Sequence, residues 1–184
     1  MKNLFFLFSA IVVISISSCK ENKSENEPEV VTIDNTNQET KTYEIAETQA
    51  EFNDPKTEAV FNQYLEVQAA LVNTDASKTA SEASKLHTAM QEANATEAIT
   101  QAVSAIAASD DIKVQRENFE TVSIEMETML NGALKSGTLY KQYCPMAFNN
   151  QGAFWISSSK DILNPYFGDK MLKCGRVDAE ISNQ

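Results

Sequence analysis

Residues 53–131 decide the fold, and they read NDPKTEAVFNQYLEVQAALVNTDASKTASEASKLHTAMQEANATEAITQAVSAIAASDDIKVQRENFETVSIEMETMLN. After Pro55 this stretch contains neither glycine nor proline, and alanine, glutamate, glutamine and lysine are frequent in it. These residue types favour helices. Asp54 is a suitable N-cap, and Pro55 suits the first helical position because its missing N–H needs no partner there. The stretch therefore predicts helix.

Capping residues divide this stretch into four predicted helices, with junctions at residues 73–75, 94–97 and 109–111, and with Gly137 as the end of the last helix. Apolar residues recur at helical spacing in each helix. The predicted inward faces are Val60, Phe61, Tyr64, Leu65, Gln68, Leu71 and Val72; Ala76, Ala80, Ala83, His87 and Met90; Ile99, Ala102, Val103 and Ile106; and Phe119, Val122, Met126, Met129, Leu130 and Ala133. Short connections predict a mainly α fold, an up-and-down antiparallel four-helix bundle over residues 53–137.

The N-terminus predicts export and a lipid anchor. Lys2 precedes an uncharged, mostly apolar run of 13 residues, Leu4 to Ile16, which is too short to span a bilayer but suits a signal peptide over residues 1–18. Ser17-Ser18-Cys19 resembles the lipobox of bacterial lipoproteins, in which the cysteine is acylated and becomes the first residue. The resemblance implies a palmitate-type anchor on Cys19, because several acyl chains hold a domain stably at a membrane. We expect a location at the periplasmic face of the outer membrane or at the cell surface.

Residues 19–52 are polar and acidic, and they predict a flexible linker. Within them, Val30-Val31 and residues 43–45 are candidate short strands or docking segments. The whole chain of 184 residues has a formal net charge of −11, which argues against a nucleic-acid partner. Its five glycines all lie in the last third, so no glycine-rich phosphate loop opens a nucleotide-binding domain.

The C-terminal segment, residues 138–178, has a different composition, rich in aromatic residues, cysteine and methionine. Residues 149–152 form a turn signal between two aromatic-rich runs, which predicts a β-hairpin packed on the bundle. A second turn is predicted at residues 164–168, and residues 179–184 are predicted to be a tail.

Four sulfur atoms in this segment offer a candidate metal site. Cys144 and Met146 flank a proline, and Met171 and Cys174 are three residues apart. Thiolates and thioethers are soft ligands that suit Cu(I) or Ag(I). The alternative is a Cys144–Cys174 disulfide, because two cysteines in an exported protein commonly pair. The methionines would then pack in the interior, and both interpretations remain open at this point.

The C-terminal motifs resemble a bacterial family of domains of unknown function, DUF3347. The residues that carry the resemblance are Tyr143-Cys144-Pro145-Met146-Ala147, Gly152, Trp155, Asn164-Pro165-Tyr166-Phe167-Gly168, Met171 to Gly175, and the helical signature Arg116-Glu117-Asn118-Phe119 with Ser123. The resemblance covers residues 55–177. It implies an exported protein, since family members occur as small exported proteins and at the C-terminus of periplasmic adaptor subunits of copper and silver efflux systems.

These observations predict an envelope lipoprotein that binds Cu(I) or Ag(I), or that assists a heavy-metal efflux system or another envelope protein. The alternative is a disulfide-stapled helical interaction module without metal. An enzyme is not expected. A catalytic pair with Cys144 as nucleophile and His87 as base would require the two side chains to lie close together beside a group that orients the histidine. No motif in the sequence predicts either the contact or the orienting group. We expect His87, the single histidine, to be a buried or half-buried helical residue; the alternative is a metal-ligand or catalytic role, because imidazole also binds metals.

Overall fold

Four helices follow one another through the glycine-free stretch in this computed structural model, which describes residues 41–183. They are α1 (Pro55–Val72), α2 (Ala76–Glu92), α3 (Glu97–Ala107) and α4 (Ile112–Leu130). The predicted mainly α class is confirmed, with two small antiparallel sheets beside the helices. No helix among the described residues combines the length and the apolar character needed to cross a bilayer.

Side-chain caps set the start of each helix. The Asp54 carboxylate accepts hydrogen bonds from two backbone N–H groups of the first turn of α1, and Pro55 is its first residue. Asp75, Thr96 and Asp111 accept equivalent bonds at the starts of α2, α3 and α4. These caps satisfy N–H groups that have no partner within the helix. The predicted helix starts are therefore confirmed.

The core lies between the helices and the larger sheet. α1 packs against α2, α2 against α3 and α3 against α4, while α4 also contacts α1 and the sheet. The largest fully buried side chains of the helices are Phe61, Tyr64, Leu71, Leu86, Met90, Ile99, Ile106, Phe119, Met126 and Leu130. The predicted inward faces of α1 and α3 are buried throughout.

The buried face of α2 is rotated from the predicted one. The structure buries Thr79, Glu82, Ala83, Leu86 and Met90, whereas the predicted Ala76, Ala80 and His87 are only half-buried. The physical reason is that alanine removes little apolar surface from water, so the larger side chains determine which face turns inward. His87 accordingly lies at the margin of the core.

Helix α4 ends at Leu130, seven positions before the predicted end at Gly137. Gly132, with φ of 71°, lies in the turn that follows, and β2 (Leu134–Ser136) comes next. Gly137 instead turns the chain into β3, with φ of 82°, and a Cβ there would lie 2.7 Å from the Cα of Ala50. A close backbone approach, rather than a helix end, therefore requires this glycine.

The larger sheet has three antiparallel strands in the order β4-β3-β5, with β3 (Thr138–Cys144) at its centre. β3 and β4 (Ala153–Ser157) form the predicted hairpin, with Cys144 opposite Ala153. A single turn, α5 (Ala147–Asn150), connects them. The third strand, β5 (Arg176–Ser182), extends through residues predicted to be a tail. Arg176, Asp178 and Glu180 are charged and exposed, and they alternate with Val177, Ala179 and Ile181, the period-2 pattern of a strand with one side against the protein.

The end of the predicted linker packs on the folded domain. β1 (Glu51–Phe52) pairs with β2, and the buried Phe52 ring lies 5.7 Å from the Phe61 ring. Tyr43 and Asn73 exchange two hydrogen bonds of 2.8 Å between the Tyr43 backbone and the Asn73 amide. The packed part of the chain therefore includes Tyr43, which is bonded to the end of α1, and Phe52, which completes the core. The predicted signal peptide, the predicted lipidation site Cys19 and residues 20–40 of the predicted linker lie outside the described residues.

Candidate thiol site

Two thiols meet where the larger sheet ends. Cys144 is the last residue of β3, and Cys174 precedes β5 by two residues. Because Tyr143 pairs with Arg176, the strands bring the two cysteines side by side. Their sulfur atoms lie 3.5 Å apart, and both are free thiols. A sulfur contact of this length joins two residues that are 30 positions apart in the sequence.

Asn164 fixes the backbone that carries Cys174. Its side chain is fully buried, and its Nδ2 donates a hydrogen bond of 2.7 Å to the carbonyl oxygen of Cys174. Its Oδ1 accepts bonds from the N–H groups of Tyr166 and Phe167, and its own N–H donates to the carbonyl of Leu172. One amide side chain thus closes residues 164–174 into a loop, called here the 164–174 loop.

Arg116 of α4 attaches this loop to the helices. Its Nε donates to the carbonyl of Pro165 at 2.8 Å, and its Nη2 donates to the carbonyl of Leu71 and to the Thr74 hydroxyl. A Cβ at Gly168, whose φ is 58°, would lie 2.8 Å from Arg116 Nη2. The end of α1, the start of the loop and the first half of α4 therefore meet at a single guanidinium group.

Aromatic rings form the floor beneath the thiols. Trp155 is fully buried and contacts Tyr166 edge-on, with ring centroids 6.0 Å apart. Tyr166 also packs against Phe148 at 5.3 Å and against Phe119 at 6.2 Å. A Cβ at Gly175, next to Cys174, would lie 3.0 Å from the Trp155 ring. The site is thus continuous with the core and mostly apolar.

This environment favours the protonated form of Cys174. Burial raises the pKa of the Cys174 thiol, and the hydrogen bond and charge of Cys144 raise it further. Cys144 itself is fully buried, whereas Cys174 is partly exposed. Because a thiolate is both the metal ligand and the nucleophile, binding or reaction at this site must first remove a proton.

The two methionines of the predicted sulfur site occupy different surroundings. Met146 is 45% exposed in the turn after β3. Met171 is half-buried, and its carbonyl oxygen accepts a hydrogen bond from the N–H of Cys174. Among residues 41–183, no three His, Cys, Asp or Glu side chains gather as a metal-binding group. A metal at the thiol pair would therefore depend on the two cysteines and on methionine sulfur.

The positioning roles of Asn164 and Arg116 are not predicted from the sequence. Asn164 precedes a proline in a predicted turn, and asparagine side chains commonly accept bonds from backbone N–H groups in turns. Arg116 lies in a helix of alternating charge. In such a sequence, an arginine that binds backbone carbonyl groups cannot be distinguished from one that is exposed to solvent. The sequence around Asn164 and Arg116 therefore contains no signal that either residue positions Cys174.

Comparison with known proteins gives one match. Residues 60–137 match the sequence model of a family described as "Protein of unknown function (DUF3347)". No curated protein and no solved structure matches the chain. The matched residues extend from α1 to the turn before β3, so the thiol pair lies outside them. The chain thus resembles the DUF3347 family across its four helices, which supports the predicted resemblance over residues 60–137, whereas the C-terminal motifs used for that prediction lie outside the match.

Proposed function

We propose that this chain is an envelope lipoprotein whose thiol pair binds one Cu(I) or Ag(I) ion in support of a heavy-metal efflux system. The observation that carries the proposal is the 3.5 Å contact between the sulfur atoms of Cys144 and Cys174. Two converging thiolates are soft ligands, and they select these ions over the hard cations that bind oxygen. The proposed partner is an efflux component or another envelope protein, which follows from the family resemblance.

Two properties of the site suit a soft ion: the distance between its two sulfur atoms and the thioethers nearby. The sulfurs are close enough for one ion to contact both after a small separation, and the aromatic floor limits competing water. Met171 adjoins Cys174 through its backbone, and Met146 is two residues from Cys144, so both thioethers are candidate further ligands. Because binding displaces thiol protons, affinity should increase with pH.

A competition titration with a Cu(I) chelator tests this proposal. The reduced protein, carrying Cys19→Ala so that only the pair is titrated, should bind one ion per chain, and the oxidised protein none. A Met146→Leu, Met171→Leu double variant should bind more weakly, whereas Met129→Leu in α4 serves as the matched control. If Cys144→Ser leaves the Cu(I) affinity unchanged, the proposal is wrong.

The same contact supports a second candidate, a disulfide-stapled interaction module without metal. A disulfide needs the sulfurs to approach to about 2.05 Å, a small movement from their contact. A bond between Cys144 and Cys174, which are 30 positions apart, should stabilise the fold by ~3–4 kcal/mol on the chain-entropy model. Urea unfolding of the reduced and oxidised forms measures this difference. Equal stability of the two forms would contradict the staple.

We infer an up-and-down antiparallel arrangement of the four helices. In its support, Lys56 Nζ at the start of α1 donates to the carbonyl of Glu92 at the end of α2, and Gln115 near the start of α4 donates to the carbonyl of Ala76 at the start of α2. Spin labels at Thr57 and Gln91 should therefore report a short distance. A separation equal to the length of α1 would contradict the arrangement.

The lipid anchor is tested on Cys19. The Cys19→Ala variant should lack acyl groups and should leave the membrane fraction, because the acyl chains supply the anchoring energy. Ser18→Thr, a small change at the neighbouring position, is a matched control that should stay acylated. A Cys19→Ala protein that still sediments with membranes would place the anchor elsewhere.

A further inference from the structure

The two thiols of the pair differ in their access to solvent. Cys144 is fully buried at the end of the central strand, between β4 and β5. Cys174 is partly exposed in the connection between a 3-10 turn (Gly168–Met171) and β5, and its neighbour Lys173 is exposed. A reagent from solvent can therefore reach only one of the two sulfurs without opening the sheet.

We propose that the pair is a thiol–disulfide exchange site for small disulfides, in which Cys174 reacts first and Cys144 resolves the product. The inference uses the same thiols as the proposed function, and it holds whether or not they bind metal. It assigns a distinct role to each cysteine, a reacting thiol and a resolving thiol.

The chemistry balances in two steps. Cys174 first gives its proton to the solvent, and its thiolate attacks one sulfur of a small disulfide. The S–S bond of the small disulfide breaks, a mixed disulfide forms on Cys174, and one small thiolate leaves and takes up a proton. Cys144 then loses its proton, and its thiolate attacks the Cys174 sulfur, forming the Cys144–Cys174 bond and releasing the second small thiolate. The protein thiols are oxidised by two electrons, and the small disulfide is reduced to two thiols.

The geometry favours this order for each step. The first step needs an approach to the attacking sulfur from solvent, which the exposed side of Cys174 permits. The second step needs no such approach, since the Cys144 sulfur already lies 3.5 Å from that of Cys174. Asn164 holds the Cys174 backbone at 2.7 Å from its Nδ2, so the mixed disulfide stays within reach of Cys144.

Mass spectrometry with oxidised glutathione as the probe tests the order. In the reduced exported chain carrying Cys19→Ala, a Cys144→Ser variant should accumulate a single glutathione adduct on Cys174. A Cys174→Ser variant should be modified at Cys144 at least tenfold more slowly. The chain that keeps both thiols should pass through a transient adduct on Cys174 and end with an internal disulfide and no glutathione.

Two controls keep the outcome independent of folding and of metal binding. In urea both serine variants should react with oxidised glutathione at the same rate. The difference between their rates in the native state would then be due to the fold. Peptide mapping of early time points of the chain with both thiols needs no serine substitution, so it decides the order if either variant misfolds. Equal rates in the native variants, a first adduct on Cys144, or a stable adduct without the internal bond would overturn the proposal. The Cu(I) titration is read separately, so either idea can fail alone.

Discussion

The Tyr64 hydroxyl lies 2.9 Å from the Ser123 hydroxyl, deep in the interface between α1 and α4. It also accepts a hydrogen bond of 3.1 Å from the backbone N–H of Ile156 in β4. Tyr64 is fully buried, and burial raises the pKa of its hydroxyl, which stays protonated. One side chain thus joins two helices and the sheet that carries Cys144.

We predict that Tyr64→Phe lowers the free energy of unfolding by ~1–3 kcal/mol. The ring would stay in place, but the N–H of Ile156 and the hydroxyl of Ser123 would lose a buried partner. Urea unfolding measures the change, with Tyr140→Phe, a half-buried tyrosine of β3, as the control. A Tyr64→Phe, Ser123→Ala double variant should show non-additivity, since the two groups are in contact. Strict additivity would contradict the direct bond.

Arg116→Lys should loosen the 164–174 loop. Lysine lacks the planar fork that lets Arg116 bind the carbonyls of Pro165 and Leu71 at the same time. We expect a loss of ~1–3 kcal/mol, together with faster hydrogen exchange of the loop amides. Lys113→Gln, on the same helix with an exposed ion pair of 3.9 Å, is the control and should change little. Unchanged exchange in the loop would mean that Asn164 alone holds it.

Gly152→Ala should destabilise the hairpin more than Gly132→Ala. Both glycines have positive φ, 81° and 71°, so both substitutions incur backbone strain of ~1–2 kcal/mol. At Gly152 the new Cβ would also collide with the ring and hydroxyl of Tyr143, whereas at Gly132 nothing lies within 4 Å. Thermal unfolding of the two variants measures the difference, expected to be a further ~1–3 kcal/mol. In a Tyr143→Ala background the two losses should become equal.

The stability of the reduced protein should fall as pH rises above about 8.5, the ordinary value for a cysteine thiol. The folded state raises the pKa of Cys174, mainly through burial, so the unfolded chain releases its proton at a lower pH than the folded chain does. Between those two values the unfolded state binds fewer protons, and the free energy of unfolding decreases with pH.

Urea unfolding between pH 7.5 and about 9 checks this, since ordinary tyrosines, with a pKa of about 10, are still largely protonated there. Cys174→Ser should remove this part of the pH dependence, and so should oxidation of the pair. A Cys174→Ser protein with the same pH slope as the parent would assign the effect to another group.

Local signals in the sequence determine the helices. Asp54, Asp75, Thr96 and Asp111 cap N–H groups only two or three residues away, so each helix start can be read from its own neighbourhood. The apolar face of α1 and the β3–β4 hairpin are equally local. The presence of two cysteines beside two methionines, and the small residues before Cys19, are likewise properties of the sequence alone.

Only the tertiary structure decides which cysteine is buried and what holds the other. Whether the segment after Cys174 is a strand or a tail depends on its pairing with β3, more than thirty positions earlier. Arg116 binds the 164–174 loop at Pro165, 49 positions along the chain, and Asn164 binds Cys174, 10 positions along. The buried face of α2 differs from the predicted one because the larger side chains, and not the alanines, determine which face turns inward. These outcomes depend on burial and on partners far along the chain, which a pattern spanning a few residues does not contain.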